Sequence, residues 1–346
     1  MKTFALVAVV MGGAVTASAA ADLGYPAKAK PIDPAATTYL WLDGSWQSVA
    51  LPDVASGWRG GSSGPPVRDL GPSTPHSVRA DGAGVSGGIG FRLPPGLFGS
   101  GTRVEIAGSY IDANAASTAA SGRAGLSTVY LINGAYGFSI NCVTCTYTSV
   151  LQSDYKAWNV DLSLANDIRF GAVTITPSIA GFGGNARNNQ TLRDDRVVGG
   201  VSTGSYDLGT KMRWTDAGAR VGLAAAMQLS SQVSFGLSGS AGWAVRHVSF
   251  DANDVLTDVF LASTKASSLS AVENVTAFVG KADASLTVSV LQNVDLRGFV
   301  GLTYDNKVPG FSSPTFTSNG APGQAARIVY DDLLSYRAGG GLVVRF

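Results

Sequence analysis

With 346 residues, 14% of them charged, 45% hydrophobic and 44 of them glycine, the chain is well below the roughly 25% charge of soluble domains. A net charge of +1 with scattered bases and acids excludes a nucleic-acid footprint. After residue 20 no apolar run approaches the roughly 18 residues of a membrane-spanning helix, so any membrane crossing must be made by strands.

Residues 1–19 read as an export signal: Lys2 supplies the positive end, Phe4 to Val15 the apolar run, and Ala17-Ser18-Ala19 the small-x-small cleavage site. Residues 20–37, punctuated by Pro26, Pro31 and Pro34, lack periodicity and are expected to form an extended periplasmic segment. Its opening Ala21-Asp22-Leu23, followed by Pro, Lys and Ala, resembles the mature N-termini of outer-membrane barrel proteins from rhizobia and related alphaproteobacteria. The match covers about a dozen residues, and Gly24-Tyr25 departs from it. The resemblance implies a porin-like barrel over residues 38–346.

Alternation supports that expectation from the residues themselves. From Val233 the odd positions Val233, Phe235, Leu237, Ala241, Trp243 and Val245 are apolar or small, and the even ones are small or polar up to Arg246. Trp158, Val160, Leu162 and Leu164 alternate with Ala157, Asn159, Asp161 and Ser163, and Phe278, Leu286, Val288 and Val290 with Lys281, Asp283, Ser285, Thr287 and Ser289. One face fits lipid and the other a polar interior. Short breaks at Pro94-Pro95-Gly96, Asn166-Asp167, Ser230-Ser231-Gln232 and Gln292-Asn293 are expected as periplasmic turns, and 48–84, 182–212, 250–272 and 306–328 as long extracellular loops. A further hairpin at Asn133-Gly134 brings the expected count to about twelve antiparallel up-and-down strands, with ten the nearest alternative.

Cys142 and Cys145 have no second Cys or His pair to complete a metal site, and an exported chain meets an oxidising compartment. A local disulfide is the expectation, with free thiols or a redox pair as the alternatives. At the C-terminus Tyr336, Ala338, Leu342, Val344 and Phe346 share one parity. They resemble the C-terminal signal read by the barrel-insertion machinery, which the resemblance implies as a partner.

The inward parity gathers Arg92, Arg103, Glu105, Asp161, Arg169, Asp216, Arg220, Arg246, Lys281, Asp283, Asp295, Arg297 and Arg337 as the expected pore lining. Such residues set weak selectivity in a water-filled channel for small solutes, or pair with one another and fill the interior. The alternative to passage is an adhesive or envelope-structural barrel whose loops do the work. Tyr39, Trp41, Trp46, Tyr110, Tyr130, Tyr136, Tyr155, Trp158, Trp214, Trp243 and Tyr304 are expected in the interfacial girdles. His247 and Ser249 share the outward parity and resemble, in those two residues alone, the His-x-Ser of outer-membrane phospholipase and lipid A deacylase, a remote hydrolase alternative. The main expectation is a monomer without catalysis, metal or cofactor, surrounded by outer-membrane lipid and lipopolysaccharide.

Overall fold

The computed structural model describes residues 38–61, 69–72, 74–93, 101–314 and 323–346. The expected export signal, the expected N-terminal segment and the turn expected at Pro94-Pro95-Gly96 lie outside the described residues. Among the described residues thirteen strands follow in chain order: β1 (Thr38–Val54), β2 (Arg59–Gly61), β3 (Asp69–Pro72), β4 (His76–Arg92), β5 (Thr102–Tyr130), β6 (Tyr136–Asn166), β7 (Ile168–Phe170), β8 (Val173–Val198), β9 (Val201–Gln228), β10 (Val233–Asp258), β11 (Ser263–Ser289), β12 (Val294–Phe311) and β13 (Ile328–Arg345).

Ten of these, β1-β4-β5-β6-β8-β9-β10-β11-β12-β13, form an antiparallel ring closed by β1 against β13, with Leu42 opposite Leu342 and Trp46 opposite Ala338. The strands β2 and β3 hang on the far end of β5, and β7 pairs with the start of β8. The expectation of twelve strands is therefore corrected to ten. The Asn133-Gly134 turn is real, with Gly134 at φ 83°, but it is the tip of the single hairpin joining β5 to β6. Four turns at one end, with both described barrel termini at that end, leave room for five hairpins only.

The expected loops 182–212 and 250–272 are also corrected, since they are mostly strand. β8 and β9 meet at a tight turn whose Gly199 and Gly200 have φ 57° and 82°, and β10 and β11 are joined by residues 259–262 alone. The strands β5, β6 and β8 to β11 run 26 to 31 residues, against the 9–11 or so needed to cross a bilayer.

An inversion of hydrophobic phase explains this excess length. In β10 the outward residues Leu237, Trp243 and Val245 are exposed and apolar, whereas from Val248 onward it is the inward residues Val248, Phe250, Ala252 and Leu256 that are apolar and buried. The parity of the backbone never changes. The same switch occurs in β6, from outward Trp158, Val160 and Leu162 to inward Tyr147, Leu151 and Tyr155, and in β9, from outward Val221 and Leu223 to inward Tyr206, Leu208, Met212 and Trp214. Below the switch a strand has lipid outside and polar groups inside; above it, water outside and a largely apolar core inside. Beyond Val245, β10 continues from Arg246 to Asp258 before the next turn, roughly 40 Å of strand, so the barrel stands out of the membrane as a tower.

The long side of an outer-membrane barrel is the extracellular one. An outward apolar belt surrounds the lower half, including Leu40, Leu42, Val85, Ile106, Leu162, Ile179, Leu223, Leu237 and Leu302. Its upper rim carries Trp46, Tyr110, Trp158, Trp243, Phe278 and Tyr304, of which Trp243, Phe278 and Tyr304 touch in sequence at 5.6 and 6.3 Å. Trp46, Tyr110, Trp158, Trp243 and Tyr304 thus occupy the expected girdle. Tyr39, Trp41, Tyr155 and Trp214 do not, because their parity turns them inward, and Tyr130 and Tyr136 belong to the tower.

Candidate functional site: the lumen and the outer wall

Polar side chains inside the membrane-embedded half are arranged in pairs. Arg246, 1% exposed, donates to both oxygens of Asp216 on β9 (2.7 and 2.8 Å), to Asp305 on β12 (2.7 and 3.1 Å) and to the Lys307 carbonyl (2.6 Å). Arg220 pairs with Asp161 at 2.9 Å and Arg103 with Asp167 at 2.6 Å, with Arg92 3.9 Å from the same carboxylate. Arg345 pairs with Asp295, which also accepts from Ser289 at 2.8 Å. Lys281 lies among Arg220, Asp161, Arg337 and Asp283.

Several contacts reach over an intervening strand, as Arg246 to Asp305 over β11 and Arg220 to Asp161 over β8, and three of them do so directly above a glycine. Tyr39 donates to Glu105 across Gly90 of β4, Arg337 to Asp283 (2.7 Å) across Gly301 of β12, and Arg297 to Asp43 across Gly341 of β13. A Cβ at Gly301 would overlap the Asp283 carboxylate, and one at Gly341 the Asp43 carboxylate. Absence of a side chain is what lets the flanking groups meet.

Arg92, Arg103, Glu105, Asp161, Asp216, Arg220, Arg246, Lys281, Asp283, Asp295, Arg297 and Arg337 all lie on inward parity. Arg169 does not line the lumen: it is exposed on β7, at the turn end of the ring. Sequence reasoning missed four partners, Asp43, Asp167, Asp305 and Arg345, because partner choice depends on which strands neighbour one another.

Above the membrane the lumen is occupied by apolar side chains together with a few buried polar ones, Asp194, Arg196, Asp254 and Asp258 among them. Trp58, wholly buried, is carried in by the segment between β1 and β2. Its backbone N–H donates to Asp194 Oδ2 at 2.9 Å, its indole N–H to the Asp194 carbonyl at 3.2 Å, and Arg196 stacks over its ring at 4.4 Å while pairing with Asp258 at 2.8 Å. Burial pushes the Asp194 carboxyl up to about 7, against the opposing effect of the Trp58 N–H. Phe250 stacks on Phe311 at 5.4 Å.

The β5–β6 tip folds over the mouth. Ile132 N–H donates to Asp254 Oδ2 of β10 at 2.6 Å, and Tyr206 and Ser267 donate to the same carboxylate. Ala326 N–H donates to the Ile132 carbonyl and Gly323 N–H to the Gly134 carbonyl, both at 2.9 Å. On the wall of the tower, His76 is held between Ser117 (3.0 Å) and Ser149 (2.8 Å), and burial lowers its pKa.

Cys145 is buried and disulfide-bonded, while the Cys142 side chain lies outside the described residues. Between the pairs Arg123–Cys145 and Gly125–Cys142 the ladder advances three residues on β6 but two on β5.

On the outer wall just above the girdle, His247 faces Asn274 across the β10–β11 ladder, with Nδ1 2.9 Å from Oδ1. Ser249 shares that face without a hydrogen bond to the ring. Among the described residues no cluster of His, Cys, Asp or Glu suited to a metal ion occurs.

A closed antiparallel ring with polar interior, apolar belt and aromatic rim defines a transmembrane β-barrel of the bacterial outer membrane. No protein family and no curated protein matches the chain in sequence. Among solved structures it is similar to the outer membrane protease OmpT from Escherichia coli (10% identity, 90% of this chain and 97% of the other, TM-score 0.46) and to the translocator domain of the autotransporter NalP from Neisseria meningitidis (10%, 100% and 98%, 0.36). A major outer membrane protein from Thermus thermophilus is also similar (11%, 88% and 99%, 0.25). Likeness this distant bears on neither substrate nor activity.

Proposed function

We propose that this barrel is closed to solutes and works through its extracellular tower, as a surface-exposed adhesive or envelope-structural protein. The observation that carries the reading is the hydrogen bond from the Ile132 N–H to Asp254, which ties the β5–β6 tip to β10 over a lumen packed with Trp58, Leu151, Leu208 and Phe250. Water and ions do not enter a close-packed apolar core. The porin-like reading needs a continuous polar path, and paired charges below the core favour filling of the interior over lining of a channel.

Single-channel recording of refolded protein in planar bilayers tests this. The expected outcome is a silent bilayer for the wild type and for Lys281→Glu alike. Discrete steps whose ion preference shifts in Lys281→Glu would establish a porin instead. The alphaproteobacterial resemblance and insertion through Tyr336, Leu342, Val344 and Phe346, all on outward parity, belong to the same proposal.

A second reading draws on the His247–Asn274 contact. In the tautomer that donates from Nδ1, Asn274 orients the ring and leaves Nε2 free; a side-chain rotation that brought Ser249 Oγ to it would give the arrangement needed for attack of the Ser249 oxygen on an acyl carbonyl. Release of fatty acid from phospholipid vesicles, abolished in Ser249→Ala and His247→Ala but retained by Lys281→Glu, would establish hydrolysis. Equal background release from all four proteins would end it.

A further inference from the structure

One feature of the outer wall is electrostatically unfavourable as it stands. Arg187 of β8 and Arg213 of β9 are direct partners in the ladder, both exposed on the outward face. Like charges directly opposite each other destabilise a sheet. Lys156 of β6 lies opposite Arg187 on its other side, but bridges to Asp112 at 3.3 Å and Asp154 at 3.7 Å. No acidic partner among the described residues reaches Arg187, Arg213 or the neighbouring Lys211. Asp251, which faces Lys211 across the ladder, accepts from Ser270 at 2.7 Å instead.

The row rises from the aromatic rim, because the strands are tilted: Lys156 is two residues beyond Trp158, and Ser249, opposite Arg213, is six beyond Trp243, about 7 and 20 Å along the strands. Interfacial aromatics sit at headgroup level, so the two arginines stand at and above it, where the saccharide of a glycolipid lies. Beside it opens a groove of about 520 Å³ at Arg213 and Lys211, edged by Asn189, Thr191, Asn253 and Ser268. Gly209 leaves the space on β9, standing between Thr191 and Asn253 in the ladders. Guanidinium groups suit phosphate oxygens, and hydroxyl and amide side chains suit sugar hydroxyls.

We propose that Arg187 and Arg213 together bind a phosphate on the saccharide headgroup of an outer-leaflet glycolipid, with the adjoining groove taking the sugar. The proposal rests on the membrane placement of the barrel and is independent of whether the lumen conducts. The anion relieves the repulsion that the two arginines otherwise impose on the β8–β9 ladder.

Thermal unfolding of the purified protein in detergent tests it, with diphosphorylated lipid A, the same glycolipid stripped of phosphate, and inorganic phosphate as probes. The phosphorylated glycolipid is expected to raise the wild-type melting temperature at a concentration at least tenfold lower than the stripped one. R187S/R213S should lose that preference, whereas R193S, whose arginine already pairs with Asp195 at 3.1 Å, should keep it. Without lipid, R187S/R213S is expected to melt no lower than wild type, so its loss of response is not a loss of fold. If it does melt lower, R187S alone provides the same comparison. Equal response of the wild type to both glycolipids, or a preference surviving in R187S/R213S, would overturn the site. Inorganic phosphate matching lipid A at equal concentration would overturn the lipid as its source.

Discussion

At the scale of single residues, the interior of the membrane half is governed by the cost of unpaired charge. Arg246 serves two carboxylates, so Arg246→Met leaves Asp216 and Asp305 facing each other without a cation. Removing one partner from such a buried group costs about 3–5 kcal/mol, and a urea titration of the refolded barrel should register it as a lower midpoint. Gly301→Val is expected to destabilise by forcing Asp283 and Arg337 apart, while the same change at Gly298, which meets nothing nearby, is expected to be mild. A midpoint for Gly301→Val equal to that of Gly298→Val would refute the strand-skipping arrangement. Asp194 gives a pH dependence of definite sign. Its folded carboxyl holds a proton up to about 7, whereas the unfolded one releases it near 3.8. The folded state therefore binds more protons in that window, and stability contributed at this site falls as pH rises from about 4 to 7. Asp194→Asn should flatten this part of the pH–stability curve, measured by denaturant midpoint at pH 5 and pH 8.

At the scale of elements, each long strand serves two environments with one backbone register. Where β10 passes from Val245 to Val248 the apolar face moves from outside to inside, and the periodicity of 2 continues unbroken through Asp258. The tower therefore has a core of its own, anchored by Trp58. Trp58→Ala is expected to cost about 3–5 kcal/mol, and the loss should be local. Amide exchange is expected to quicken in the upper parts of β8 and β9, near Asp194 and Tyr206, and to stay slow in the belt near Ile179 and Val221. Uniform quickening over both halves would show that tower and belt unfold as one cooperative unit.

For the molecule as a whole, lipid outside and ion pairs inside make neighbouring positions respond oppositely to charge. Leu162, outward and 56% exposed, faces hydrocarbon, so Leu162→Lys should cost about 2–4 kcal/mol. A lysine introduced on the tower at Val255, outward above the belt, should cost little, because water receives it. Comparing the two variants by heat-modifiable gel migration maps the upper edge of the membrane on the barrel. If both fold equally well, the hydrocarbon does not end between Leu162 and Val255.

The chain's residues by themselves determined the class of fold and the facing of its strands. Alternation in 156–164, 233–246 and 276–290 reads directly as lipid on one side and polar groups on the other, because a strand's side chains must point to opposite faces. The short turns at Ser230-Ser231-Gln232 and Gln292-Asn293 were legible for the same local reason, whereas at Asn166-Asp167 β6 only ends, and the chain reverses at Gly171-Ala172 between β7 and β8. The number of strands was not. A phase inversion looks, along the sequence, like the end of a strand, and only the neighbouring strands reveal that the apolar side has moved to a second core. The pairings were likewise decided in three dimensions: nothing near Arg297 in sequence announces Asp43, and nothing near His247 announces Asn274. Both contacts arise from closure of the ring and from register, which bring together residues that are far apart along the chain.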